Sequence, residues 1–159
     1  MVQGNSIGVA ADGVTELGNG STGMFVSGGA SDNVIGGPAA NAGNTIAYNL
    51  DGVQILQEAS LPGISRGNLV THNSIHSNQR LGINLSFDYD GDPAPNDNGD
   101  ADSGPNDFQN YPVITSASNG RVRGTLDSRA NAAYTIDFYS NDECDQPSGF
   151  GEGKTWLGS

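Results

Sequence analysis

The sequence predicts an all-β chain. Very short strands stack coil upon coil, an acidic loop follows, and an antiparallel module closes the chain. Three observations lead there. Gly supplies 24 of the 159 residues while Leu, Lys, Glu and Arg are scarce, a composition that cannot furnish helix surfaces. An internal repeat of nearly thirty residues runs through the first 87 positions. Seven Asp and no Lys or Arg fall within 88–107, more than half of the formal net charge of −12. Composition shifts at the same places, so the expected units are 1–87, an Asp/Asn/Gly/Pro linker over 88–111, and 112–159.

The repeat sets the first unit. Asn44-Thr45-Ile46 leads through Asn49 to Gly52-Val53-Gln54-Ile55, and Asn73-Ser74-Ile75 leads through Asn78 to Gly82-Ile83-Asn84-Leu85. Asn5-Ser6-Ile7 reaches Asn19 and Gly23-Met24-Phe25-Val26 after a longer excursion. Gly23, Gly52 and Gly82 are 29 and 30 positions apart, and Asn19, Asn49 and Asn78 are 30 and 29 apart. Circuit length is kept while the loops inside it move, as in a solenoid coil.

Each run alternates, so Val53 and Ile55 point one way and Gln54 the other. A strand of three or four residues cannot cover its own apolar face. Parallel stacking therefore predicts a core of Ile7, Met24, Val26, Ile35, Ile46, Val53, Ile55, Leu69, Ile75, Ile83 and Leu85, with Phe25, Gln54 and Asn84 outside. Asn suits the corners because it tolerates left-handed backbone. Stacked Asn side chains also satisfy one another's amides along the column.

Asn5-Ser6-Ile7-Gly8, Gly18-Asn19-Gly20, the stretch Gly28–Gly37 and Ala42-Gly43-Asn44-Thr45-Ile46 resemble bacterial right-handed parallel β-helix repeat proteins. More specifically, the chain resembles large extracellular, adhesin-like members with polymorphic outer-membrane-like modules. The resemblance implies about three coils, a loop like Asn96–Asn110, and then a partial immunoglobulin-like β-sandwich. It implies a structural or adhesive role in a secreted or cell-surface protein, with extracellular glycans or proteins as partners, and no established activity. The chain starts inside a rung at Val2-Gln3-Gly4-Asn5 and stops at Gly151–Ser159, where such a sandwich would still be adding strands. Open coil ends expose unpaired N–H and C=O groups, so end-to-end self-association is expected.

The acidic segment is a candidate calcium site. Asp88, Asp90 and Asp92 alternate around Gly91, and Asp97, Asp100 and Asp102 follow within ten residues. Hard carboxylate oxygens at such spacing suit Ca²⁺, which takes six to eight oxygens. The bidentate acid of an EF-hand is missing, and a solvated acidic spacer is the alternative. Asp97, Asp100 and Asp102 are favoured because the family-like stretch runs through them.

In the last unit, Pro112–Ala117, Val122–Leu126, Tyr134–Tyr139 and Thr155–Leu157 read as strands, and Asn119-Gly120 as a hairpin turn. Tyr134, Phe138 and Trp156 are expected in its core.

The acidic balance argues against nucleic acid or an anionic membrane as partner, and no apolar run is long enough to insert in a bilayer. No basic n-region with an apolar stretch marks a signal peptide. Cys144, as the lone cysteine, leaves no intrachain disulfide. Pectate-lyase-like binding or cleavage of polysaccharide is the alternative function, since right-handed β-helices include such enzymes. Yet Asp12, Glu16, Asp32, Asp51, Glu58, Arg66 and Arg80 form no evident cluster on neighbouring rungs. Arg66 and Arg80 are expected in solvated loops, and His72 and His76 in exposed turns.

Overall fold

The computed structural model describes residues 1–87, 92–143 and 149–159. Eight strands occupy the first segment: β1 (Ser6–Ile7), β2 (Met24–Val26), β3 (Val34–Gly36), β4 (Thr45–Ala47), β5 (Val53–Leu56), β6 (Leu69–Thr71), β7 (Ser74–His76) and β8 (Ile83–Ser86). They pair in parallel as three sheets, β1-β4-β7, β2-β5-β8 and β3-β6. The chain enters these sheets in fixed rotation, so each strand hydrogen-bonds to the one three places later. Equivalent residues of successive repeats become neighbours: Ile7, Ile46 and Ile75 form one column, and Val26, Ile55 and Leu85 another. Val2 extends the third sheet by a single parallel bridge to Ile35.

All three sheets contribute to one apolar cluster of Val26, Ile35, Ile46, Val53, Ile55 and Ile75, with Ile7, Met24, Val70 and Leu85 against it. No single strand buries more than a few of these side chains, so the cluster exists only because the coils stack.

Corners recur by a local rule. Asn5, Asn33, Asn49, Asn68, Asn73 and Asn78 each follow a residue of positive φ: Gly4, Asp32, Tyr48, Gly67, His72 and Ser77. Tyr48, His72 and Ser77 hold that conformation at some steric cost. The following Asn amide compensates by donating to the carbonyl two residues back, Asn49 to Ala47, Asn73 to Thr71 and Asn78 to His76. Gly8 and Gly36 occupy turns where a side chain has no room. A Cβ there would lie 1.8 Å from the Ala47 carbonyl oxygen and 2.0 Å from that of Thr71.

Three sequence expectations are corrected inside this unit. Leu69 is 51% exposed, and its neighbour Val70 faces the core, because β6 registers Val70 on Ile35. Ile83 is 47% exposed, since β8 is the outer strand of its sheet and, among the described residues, no further strand pairs with it beyond the Val53 column. Gln54 and Asn84 are fully buried rather than outward in solvent. Gln54 accepts from the Thr22 hydroxyl at 3.1 Å and donates to Ser86 Oγ at 3.0 Å, so its amide is satisfied across three coils.

Beyond the linker, β9 (Val113–Ser118) and β10 (Arg121–Thr125) make an antiparallel hairpin. Asn119 and Gly120, at φ 50° and 70°, have the paired positive angles of a type I′ turn. β11 (Phe138–Ser140) pairs antiparallel with β12 (Thr155–Gly158). Among the described residues these remain two separate two-stranded sheets, and Tyr134–Asp137 lies outside any strand. Trp156 is 43% exposed; its ring stacks on His72, 4.5 Å between centroids, rather than on Tyr134 and Phe138 as expected.

The register of β6 is directly testable. Val70→Ala is expected to cost about 1–2 kcal/mol, whereas Leu69→Ser stays within about 0.5 kcal/mol, by urea denaturation. The reverse order would restore the sequence-based assignment.

Candidate functional site

Amides at the corners line up into three rows that run through the stacked coils. Along the first, Asn5 Nδ2 donates to Asn44 Oδ1 at 2.9 Å and Asn44 Nδ2 to Asn73 Oδ1 at 2.8 Å. Along the second, Asn19 donates to Asn49 at 2.9 Å and Asn49 to Asn78 at 3.3 Å. Along the third, Asn33 donates to Asn68 at 2.9 Å and Asn68 to Asn106 at 3.3 Å. In every row the backbone N–H of the donating Asn reaches the same acceptor oxygen. One amide oxygen therefore closes two donors at each corner, satisfying polar groups that the stack has removed from water.

Each row must end on something that accepts hydrogen bonds, and the later part of the chain supplies it. Glu152 takes the amide of Asn78 at 2.8 Å and its backbone N–H at 3.2 Å. Gly153 exchanges two backbone bonds of 2.8 Å with Ile75, continuing the β1-β4-β7 sheet by one antiparallel bridge. Burial and the charge of Asp137 push the Tyr139 hydroxyl up, while backbone N–H groups of His72 and Asn73 pull against that shift. Burial alone would raise Asp137, but bonds from Ser159 and Thr71 and the nearby His72 leave it below its ordinary value. Asn106 closes the third row, its own amide returning to the Asn68 carbonyl at 2.6 Å. These closures were invisible in the sequence, because no spacing marks a partner 74 residues away.

Asn106 lies in a tight turn, Pro105–Phe108, whose last three residues have left-handed φ. Phe108 is buried there edge-on to Phe87, ring centroids 4.7 Å apart, and Asp107 meets Arg66 at 2.7 Å. The Pro105–Phe108 turn of the acidic segment is thus folded onto the parallel sheets.

Just after that turn, Asn110 bonds two of the acidic residues that precede it, Asp97 and Asp100. Its Oδ1 accepts from Asp97 N, its Nδ2 donates to the carbonyls of Asp97 and Asp127, and its N–H donates to Asp100 Oδ1 at 3.0 Å. Asp100 is only 3% exposed, and its other oxygen accepts from Ser128 Oγ at 2.7 Å. Asp97, Asp100 and Asp102 converge, each offering an oxygen within 4.8 Å of the others. Asp102 Oδ1 is buried without a hydrogen-bond partner. Burial and the charges of Asp97 and Asp100 raise the Asp102 carboxyl above its ordinary value, against the pull of Arg129. Asp92 is exposed and outside this group, while Asp88 and Asp90 lie outside the described residues.

Elsewhere, Asp51 is fully buried and paired with Arg80, and it also accepts from Leu81 N. Arg80 is therefore not in a solvated loop as expected, because the buried carboxylate holds it against the coil. Asp12 stays low, near 2, through bonds from the Thr15 side chain and the backbone of Thr15 and Val14. His72 faces Asp137 and Trp156, while His76 meets Tyr48 edge-on at 6.2 Å, so the two histidines serve different contacts. Among the described residues no helix is long and apolar enough to cross a membrane. The chain matches no family model, no curated protein and no solved structure.

Two outcomes follow from these groups. Glu152→Ala should cost about 1–3 kcal/mol by leaving the Asn78 donors unmet, and Glu152→Gln, which keeps an acceptor oxygen, should recover part of that. Asp102 has a raised folded-state pKa, so its charge costs stability as pH rises from 3.8 through that raised value, and the cost is constant above it. Asp102→Asn should therefore melt above the parent chain at pH 7 without divalent cations, with the gap closed once pH has fallen to 3.8.

Proposed function

We propose that this chain is a structural and adhesive segment of a secreted or cell-surface bacterial protein. In this reading residues 1–87 are a right-handed parallel β-helix acting as a stiff stalk. A calcium-stabilised joint connects it to a β-sandwich built on residues 112–159. The observation that carries the proposal is the fixed rotation of strands through three parallel sheets, with an unbroken row of Asn amides at each corner. Such an object gains length by adding coils and resists bending, because every coil is bonded to its neighbours along both backbone and side chain.

Support for a cation at the joint comes from Asp97, Asp100 and Asp102. Their oxygens are hard, they converge, and a buried oxygen of Asp102 has no donor to satisfy it. Calcium suits such a set because it accepts variable numbers of carboxylate, carbonyl and water oxygens. Bound there, it would offset the mutual repulsion of three carboxylates where the linker meets Ser128 and Arg129. Acidic composition and the scarcity of basic residues fit an extracellular setting with glycan or protein partners better than a polyanionic one.

Thermal unfolding in Ca²⁺ and in EGTA tests the joint. The folded state should gain about 2.7 kcal/mol at a free Ca²⁺ concentration 100-fold above Kd, seen as a midpoint several degrees higher. Equal midpoints in both buffers would remove calcium from the proposal. A shift produced by polygalacturonate, or new reducing ends released from it, would favour the pectate-lyase-like reading instead.

A further inference from the structure

The chain has 18 carboxylate side chains and only six Lys or Arg, three potential partners for every cation. Four of the six are paired: Arg66 and Arg129 with Asp107, Arg80 with Asp51, and Lys154 with Asp142. Arg121 and Arg123 have no carboxylate within ion-pair distance among the described residues, although acids outnumber bases threefold. They also sit together. Both belong to β10, two residues apart, so their side chains leave the same face about 7 Å from one another. Cross-strand registration places Ser118 opposite Arg121 and Ser116 opposite Arg123 on that face.

With Asn119 of the turn, these residues line an open depression of about 520 Å³. All five are exposed, so none serves a core, and the two like charges gain nothing from being neighbours. Guanidinium groups present planar forks that match carboxylate and sulfate oxygens, whereas Ser hydroxyls and an Asn amide match sugar hydroxyls. The geometry points to a binding site for a short acidic oligosaccharide, carrying sulfate or uronate groups, on the Arg121/Arg123 face of the β9-β10 hairpin. A long polyanion is disfavoured, since the seven Asp of residues 88–107 would repel its extended chain. The site lies on the antiparallel hairpin, not on the parallel sheets, and it stands whether or not those sheets form a stalk.

Calorimetric titration of the full chain with a heparin-derived tetrasaccharide tests it, with cellotetraose, sodium sulfate and a tetraglutamate peptide in parallel. The tetrasaccharide should bind, weaken as salt rises, and lose at least about 100-fold in affinity in R121S/R123S, roughly tenfold for each guanidinium removed. R121K/R123K keeps the charge but not the fork and should fall between, while Arg66→Ser should bind as the parent chain does. Proton–nitrogen correlation spectra establish that each variant retains the hairpin. Absence of tetrasaccharide binding, or undiminished binding in R121S/R123S, would overturn the site. Equal affinity for cellotetraose, for sulfate or for tetraglutamate would overturn the assignment to acidic sugar.

Discussion

A strand of three residues can shield neither its apolar side chains nor its backbone amides, and the parallel sheets of this chain are built from strands of two to four residues. What makes them viable is the pairing of each corner with the same corner one coil away. The amide of one Asn meets the oxygen of the next, and that oxygen also takes a backbone N–H. Columns of Ile and Val then close inside the ring of corners. Burying a polar side chain usually opposes folding. Here the buried Asn residues of the corner rows are what allows the core to exist, because each has a partner at both ends of its reach.

A stack that relies on neighbour-to-neighbour bonds has its weak points at its ends. The later segment answers this at one end with chemically different groups, a carboxylate, a backbone bridge and a further Asn. The closure couples distant parts of the sequence: His72 touches Asp137 and Trp156, and Ser74 donates to the Lys154 carbonyl. Asp137 and the stretch Glu152–Trp156 therefore cap the parallel sheets by bonds and ring contact to their last coil. Placing Tyr134, Phe138 and Trp156 together in one core missed the contact of Trp156 with His72.

Much of the parallel strand pairing was legible because a repeat of nearly thirty residues writes itself as spacing. Asn19, Asn49 and Asn78 recur at the coil length and do form one row. Asn119-Gly120 announced its turn by chemistry that works locally. Three-residue strands were less readable: with so few positions, alternation cannot decide between Leu69 and Val70, and only the partner strand does. Gln54 and Asn84 read as outward since polarity was taken for exposure, but their satisfying groups, Thr22, Ser86 and Asp51, lie on other coils. Among the carboxylates, proximity in sequence brought Asp97, Asp100 and Asp102 together. It said nothing of Asn110, which bonds the backbone of Asp97 and the carboxylate of Asp100.

Coupling between adjacent corners is the most direct measure of this account. A double-mutant cycle of Asn49→Ala and Asn78→Ala, followed by chemical denaturation, reads the interaction free energy of one step in the row. A coupling of about 1–2 kcal/mol is expected, in the sense that the second loss costs less once the first is made. Additive costs, with each substitution indifferent to the other, would mean that the rows are a by-product of coil stacking and not its cause.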